Sequence, residues 1–109
     1  MKRVAGVLRI KKDRIEEYKE YHQNVWPEIL QAHREAGQTN FSIFLKDDLL
    51  FSYCEYLGPE EDHEERMKKV LQAPRMREWL DIMEDIQVPL EARAPGEWWA
   101  TMEEIFHGD

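Results

Sequence analysis

Hydrophobic positions along the 109-residue chain change their spacing several times, and each spacing predicts one element of secondary structure. Residues 3–10 form a short run rich in valine, leucine and isoleucine, which predicts a strand. Over residues 15–36 apolar and aromatic side chains recur every three or four positions, which predicts an amphipathic helix. Asp13, with Glu16 three residues later, is the predicted N-terminal cap of this helix, and Gly37 is its predicted end.

The middle of the chain predicts a β-hairpin and then two more helical pieces. Residues 40–45 and 49–56 are aromatic-rich runs on either side of a short charged turn, as in a hairpin. Residues 60–86 are charged and favour helix, and Pro74 should divide them because proline breaks a helix interior. The predicted buried side of the second piece consists of Trp79, Ile82, Met83 and Ile86.

The remaining residues complete a recognisable order of elements. Residues 87–96 contain two prolines and are predicted to be irregular, and residues 98–106 are predicted to form the last strand. The order β-α-β-β-α-β with right-handed crossovers gives a four-stranded antiparallel sheet with two helices on one face. We therefore predict an α+β, ferredoxin-like fold in one domain that spans residues 1–109.

Both faces of the predicted hairpin carry apolar side chains. Successive residues of a strand point to opposite faces. In the first strand Phe41, Ile43 and Leu45 point one way and Phe44 the other, and in the second strand Phe51 and Tyr53 point opposite to Leu50, Cys54 and Tyr56. Two helices cover only one face of a sheet, and a second copy of the same sheet is the simplest cover for the other. This pattern predicts a homodimer that forms through the sheet face.

Composition and charge exclude several classes of protein. Hydrophobic residues make up 42% of the chain, which is too many for a disordered protein. A formal charge of −8 repels phosphate backbones, so we expect no nucleic-acid partner. No apolar run is long enough to cross a membrane, and Arg9 interrupts the N-terminal segment before it can resemble a secretory signal. A lone cysteine, Cys54, excludes an internal disulfide and a CxxC site. We expect a cytoplasmic protein.

The first helix contains the strongest candidate for chemistry. Tyr18, His22 and Trp26 are spaced by four residues and lie on nearly one face, and Pro27 should kink the helix just beyond the histidine. A kink, an imidazole and flanking aromatic rings would together form a pocket. Two interpretations stay open: a core histidine satisfied by the protein itself, or a group that transfers a proton near neutral pH.

Other kinds of site have weaker support. His22 and His33 would lie roughly 16 Å apart along one helix, and the remaining two histidines sit in a charged run and in the terminal tail, so we expect no metal. There is no phosphate-binding glycine loop and no serine in a nucleophile elbow, so we expect no cofactor and no covalent catalysis. Trp79 is either a core residue or a platform for the apolar face of a sugar.

Several blocks of the sequence carry a family resemblance. Glu17-Tyr18 followed by residues 22–28, His-Gln-Asn-Val-Trp-Pro-Glu, resembles a pattern of the L-rhamnose mutarotase family. Residues 37–45, 49–51, 79–85 and 104–107 are similar to later blocks of that family in the same order. The resemblance implies a dimeric α+β barrel of ferredoxin-like subunits. It also implies an isomerase that interconverts the α and β anomers of a 6-deoxy-hexose, most simply L-rhamnose, without a cofactor.

The resemblance also implies roles for individual residues. His22 matches the family's proton donor and Tyr18 a sugar-binding tyrosine, while Phe41, Trp79 and Leu80 match other substrate-binding positions. Phe41 lacks the hydroxyl of the usual tyrosine, Leu80 replaces the second ring of a Trp-Trp pair, and the loop before the last strand differs from the family pattern.

These departures leave alternatives to L-rhamnose mutarotation. L-Fucose or another aldose is a second choice of substrate. A non-catalytic sugar-binding or sensing module, and a haem-binding or cofactor-free monooxygenase on the same barrel, are the alternatives in function. A second acid–base group is not identified by the pattern, although Glu104 is one candidate.

Overall fold

A computed structural model describes residues 1–109. The chain forms five strands and four α-helices, with single 3-10 turns before α1 and before α3. Their bounds are β1 Lys2–Ile10, α1 Ile15–Gln23, α2 Pro27–Glu35, β2 Gln38–Lys46, β3 Leu49–Tyr56, α3 His63–Leu71, α4 Met76–Ile86, β4 Gln87–Val88 and β5 Ala100–Thr101. The predicted first strand, the hairpin and the division of the second helical region around Pro74 are confirmed.

One antiparallel sheet, curled into a half-barrel, organises the fold. Its strands run in the order β2-β3-β1-β4, and β5 also pairs with β1. Strand β1 pairs with β3 along its length, from Lys2 opposite Tyr56 to Arg9 opposite Leu49. The hairpin of β2 and β3 turns at residues 47–48. This is the ferredoxin-like, α+β arrangement that the order of elements predicts.

A β-bulge interrupts strand β2 near the hairpin's open end. The pairing shifts between Thr39, which lies opposite Glu55, and Ser42, which lies opposite Tyr53, so residues 40 and 41 share one position. Asn40 adopts a positive φ of 50° there, a conformation that asparagine tolerates better than most residues. Phe41 contacts His33 of α2, so its side chain lies on the helix-covered face, as its spacing of two residues from Ile43 predicts.

The first helical region differs from its prediction in two ways. Instead of one kinked helix there are two, separated by residues 24–26, with Pro27 at the first position of α2. Proline favours that position because it has no N–H to donate, so it starts a helix here rather than bending one. The predicted cap was also wrong: Asp13 lies in a 3-10 turn, and α1 begins after Arg14 with no side-chain cap. Gly37 follows α2 with φ +81°, as predicted.

The prediction of a single last strand over residues 98–106 was wrong. Only Ala100–Thr101 is paired there, and residues 102–109 have no regular structure. Part of the edge of β1 is occupied instead by Gln87–Val88, within the segment predicted to be irregular. Strands β4 and β5 therefore share one edge of β1. Strand β4 takes part of this edge because α4 ends at Ile86 and the chain enters β4 at the next residue.

All four helices pack on one face of the sheet. The largest buried cluster comprises Leu8, Ile10, Tyr18, Ile29, Ala32, Ala36, Leu50, Val70, Met76, Trp79, Met83 and Ile86. The opposite face has no helix, and Phe44 is 63% exposed on it. No helix of the fold combines the length and the hydropathy needed to cross a bilayer.

Candidate functional site

His22 lies at the end of α1, among four aromatic rings. Its ring centroid is 4.4 Å from that of Tyr18 and 5.5 Å from that of Trp79. Trp79, on α4, also meets Tyr21 and Trp26 edge-on at 6.1 and 5.2 Å. The spacing of four residues within α1 brings Tyr18 beside His22, and the amphipathic face of α4 adds Trp79. Trp26, which was predicted to flank His22 on the same helix, lies outside α1 and contacts Trp79 instead.

The two ring nitrogens of His22 have different environments. Nδ1 lies 2.8 Å from the backbone carbonyl oxygen of Tyr18. A carbonyl only accepts, so Nδ1 carries the hydrogen and, in the neutral ring, Nε2 has a free lone pair. Nε2 has no hydrogen-bond partner within the protein. Every fully buried side-chain nitrogen or oxygen does have a partner, so Nε2 is not fully buried and remains accessible. Burial lowers the pKa of His22, and the bond to the Tyr18 carbonyl opposes part of that shift.

The hydroxyl of Tyr18 is held by a short chain of hydrogen bonds. Gln87 Nε2 donates to the Tyr18 hydroxyl oxygen at 2.9 Å, and Trp98 Nε1 donates to Gln87 Oε1 at 2.8 Å. Tyr18 is only 5% exposed, and its burial raises the pKa of the phenol to about 12. Tyr18 therefore keeps its proton over the whole physiological range of pH.

Arg75 covers the outer side of the aromatic cluster. Its guanidinium carbon lies 4.0 Å from the ring centroid of Trp26, a cation–π contact. Its nitrogens also approach Glu28 at 3.7 Å and Glu78 at 3.5 Å. Arg75 precedes α4 with φ 63°, a left-handed conformation that a non-glycine residue rarely adopts. Arg75 thus links the start of α4 to Trp26 and Glu28 at the start of α2.

The other predicted substrate-binding positions lie outside this cluster. Phe41 packs against His33 of α2, with ring centroids 5.0 Å apart, and is 44% exposed. His33 Nδ1 is hydrogen-bonded to Gln38, and burial lowers the pKa of the imidazole. Leu80 is half-buried and packs against the core. The structure therefore joins Tyr18, His22 and Trp79, and places Phe41 beside a second histidine.

Glu104 does not serve the His22 cluster. It forms an ion pair with Arg3 of β1. Glu55, which lies opposite Arg3 in β3, accepts hydrogen bonds from Tyr53 and Asn40. This polar group lies on the sheet face that the helices leave uncovered. Glu104 is therefore excluded as the second acid–base group within one chain.

Gln87 and Arg75 are site residues that the sequence pattern did not reveal. Gln87 falls in a segment predicted to be irregular, and it reaches Tyr18 because it lies at the end of α4, where the chain enters β4. Arg75 follows Pro74 in a predicted break. The sequence carried no signal for either residue, because the burial of Gln87 and the contact of Arg75 with Trp26 exist only in the folded chain.

Solved structures place the fold in a known class. An L-rhamnose mutarotase from Formosa agariphila matches with a TM-score of 0.74 at 24% identity, over 100% of both chains. Tetracenomycin F2 cyclase from Streptomyces glaucescens, a type-II polyketide cyclase, has the same TM-score at 17% identity, over 100% of this chain and 98% of the other. The subunit thus has the α+β fold of the dimeric α+β barrel proteins.

Sequence comparison then identifies the family. The family model described as L-rhamnose mutarotase matches residues 3–108. The L-rhamnose mutarotase of Bacillus subtilis is 33% identical over 85 residues, which are 76% of this chain and 77% of that protein. The chain belongs to the L-rhamnose mutarotase family, and it is an isomerase of that kind.

Proposed function

We propose that this protein interconverts the α and β anomers of a 6-deoxy-hexose, with L-rhamnose as the first choice, and that His22 transfers the proton. The observation that carries the proposal is the unpartnered, accessible Nε2 of His22. The opposite nitrogen is fixed to the backbone, so the ring is oriented and its tautomer is set. The names of the family relatives support the choice of L-rhamnose.

The chemistry needs one proton to move between two oxygens of the sugar. Nε2 takes the proton of the anomeric hydroxyl, the bond from C1 to the ring oxygen breaks, and its electron pair goes to the ring oxygen. That oxygen receives a proton, from the imidazolium or through water, and the open-chain aldehyde results. Rotation about C1–C2 and reclosure by the reverse steps give the other anomer. No oxidant, reductant or cofactor enters the balance.

Residues around His22 suit this cycle. Because burial lowers the pKa of His22, the imidazole is neutral at pH 7 and can begin as a base. The Tyr18 phenol, whose pKa is raised to about 12, stays protonated and serves as a hydrogen-bond donor to the sugar. Trp79 packs edge-on against the histidine ring and, at 6% exposed, shields that side of the ring from water.

The substrate follows less directly than the reaction. Phe41 and Leu80 offer no hydroxyl or indole N–H to a sugar at the two positions where they depart from the family pattern. A missing polar contact changes discrimination between sugars that differ at one hydroxyl. L-Fucose is therefore the second substrate to test beside L-rhamnose.

Anomer exchange measured by saturation-transfer NMR tests the proposal directly. Wild-type protein should accelerate exchange of L-rhamnose, and His22→Ala should reduce kcat by about 10²- to 10⁴-fold, the usual contribution of a general acid–base group. His63→Ala is the control, since His63 is also a half-buried histidine that contacts a tyrosine ring, that of Tyr56, but it begins α3 and lies outside the His22 cluster. Equal exchange in wild type and His22→Ala would refute the role of His22.

The same samples separate the enzyme from a sugar-binding or sensing module. A module of that kind binds L-rhamnose or L-fucose, measured by isothermal titration calorimetry, without exchange above the buffer rate. Binding without exchange in the wild-type protein would replace the proposed enzyme with this second function.

We also propose that two copies associate through the uncovered face of the sheet. Phe44 is 63% exposed on that face. Glu104 of the C-terminal tail pairs with Arg3 of the same sheet, and the next two residues of the tail, Ile105 and Phe106, are also exposed. An apolar surface of this kind on a sheet is typical of an interface. Analytical ultracentrifugation should show a dimer that Phe44→Glu weakens. Leu57→Glu, at a residue that is also 63% exposed but follows β3, should leave the dimer intact; a monomeric wild type would refute the proposal.

A cytoplasmic location completes the proposed setting. The single thiol, Cys54, is buried and has no second cysteine to pair with, which suits a reducing compartment. Fractionation of cells that express the tagged protein tests this location.

A further inference from the structure

The amide of Gln87 has only one orientation that satisfies both of its neighbours. An indole N–H donates and never accepts, so the Gln87 oxygen must face Trp98. The NH₂ group then faces Tyr18 and donates to the phenol oxygen. Gln87 is itself buried, at 6% exposed, so solvent does not compete for these bonds.

This arrangement determines what Tyr18 can offer to a ligand. Its oxygen already accepts a hydrogen bond from Gln87, and no group of the protein accepts the phenolic hydrogen. That hydrogen is therefore left without an acceptor in the protein. The centroid of the phenol ring lies 4.4 Å from that of the His22 ring, so the two side chains belong to the same cluster.

We infer that Gln87 and Trp98 are positioning residues that fix Tyr18 as a hydrogen-bond donor to a sugar oxygen beside His22. The inference rests on the proposed function and deepens it: the site presents one fixed donor and one fixed acceptor to neighbouring oxygens of the same sugar. A sugar whose oxygen at the Tyr18 contact is lost or displaced should bind less well.

The hydrogen bond between Trp98 and Gln87 also joins the two ends of the loop in which this sequence departs from the family pattern. Residues 88–97 lie between Gln87 and Trp98, so the bond between their side chains ties the two ends of that loop together. Glu97, next to Trp98, accepts hydrogen bonds from the Ala94 amide and the Thr101 hydroxyl, which hold the end of the same loop. The position of the Tyr18 hydroxyl is thus coupled to this loop.

Gln87→Glu tests the direction of the hydrogen bond with almost no change of shape. A carboxylate only accepts, so it would take the phenolic hydrogen of Tyr18 and leave none for the sugar. We expect KM for the exchanged sugar to rise about 2- to 12-fold, the value of one hydrogen bond, with kcat less affected. Trp98→Phe is a second, milder variant, because it removes the indole N–H and lets the amide turn over.

The decisive comparison repeats both variants in a Tyr18→Phe background. If Gln87 and Trp98 act through the Tyr18 hydroxyl, neither substitution should raise KM further once that hydroxyl is gone. Equal losses in both backgrounds would show a general structural effect and overturn the inference, while the proposed function would stand. A wild-type protein that neither binds nor exchanges any sugar would overturn the proposed function and this inference with it. Thermal unfolding of each variant identifies losses caused by misfolding.

Discussion

Trp79 joins the core to the candidate site, so its replacement should alter stability and the titration of His22 together. The ring is 6% exposed and contacts three other rings edge-on or tilted, those of Tyr21, His22 and Trp26. Trp79→Ala should cost about 3–5 kcal/mol, as large-to-small core substitutions do, which is a large part of a total stability of about 5–15 kcal/mol. Trp79→Phe is the more useful variant because it keeps a ring in place.

We expect Trp79→Phe to cost about 1–2 kcal/mol, since each aromatic pair contributes about 0.5–1.5 kcal/mol and the smaller ring keeps only part of the three contacts. The melting temperature should fall by about 4–9 °C in a domain of this size. Burial is the main cause of the lowered pKa of His22, so removing part of the covering ring should raise that pKa toward 6.5.

Histidine titration by NMR measures the second effect, and calorimetry the first. Trp99→Phe is the control: it makes the same replacement in a half-buried tryptophan that packs on the core outside the ring cluster. It should leave the pKa of His22 unchanged. An unchanged or further lowered pKa in Trp79→Phe would refute the reasoning that this indole shields the imidazole from water.

Three further predictions concern pH, backbone strain and the cation over the cluster. Because burial depresses the pKa of His22, kcat/KM should stay level above pH 6.5 and fall as the pH drops through a value below 6.5. The free energy of unfolding should also decline on acidification from pH 6.5, because His22 takes up its proton at a higher pH in the unfolded chain than in the folded one. A loss of kcat/KM that begins clearly above pH 6.5 would contradict this. Gly37→Ala should lower the free energy of unfolding in urea more than Gly96→Ala does. Both glycines have a positive φ, which costs an alanine about 1–2 kcal/mol. A Cβ at Gly37 would also meet Arg66 at 3.3 Å, whereas no atom of the protein lies within 4 Å of a Cβ at Gly96. Arg75→Ala should unfold at a lower urea concentration than Arg75→Gly. Both variants lose the contact with Trp26, but alanine keeps the backbone strain and glycine relieves it. Equal unfolding midpoints of the two variants would exclude strain at this residue.

Elements with strong local patterns could be predicted from the sequence, and those defined by a shared strand edge could not. The hairpin and the break at Pro74 depend on turn and helix-breaking residues that act locally. The division of the last strand into Gln87–Val88 and Ala100–Thr101 depends on where α4 returns the chain to β1. No spacing of residues within 98–106 contains that information.

The site shows the same limit. Tyr18 and His22 are one helical turn apart, so their proximity could be predicted from α1 alone. Gln87 lies 69 positions from Tyr18 in the chain and approaches it only after α4 and β4 have folded. The accessible Nε2 of His22 likewise depended on which nitrogen the backbone carbonyl engaged, which the three-dimensional arrangement alone decides.

The short interruption between α1 and α2 has an electrostatic consequence for the reaction. Because α1 stops at Gln23, His22 occupies its last turn, where unpaired carbonyl groups give a helix a partial negative charge. In one continuous helix over residues 15–36 the imidazole would lie near the middle and receive no such field. A cation at a carboxyl terminus of this kind is stabilised by about 0.3–1 kcal/mol. The helix end therefore stabilises the imidazolium while the ring holds the sugar's proton, and the burial of the ring keeps it uncharged before the proton arrives.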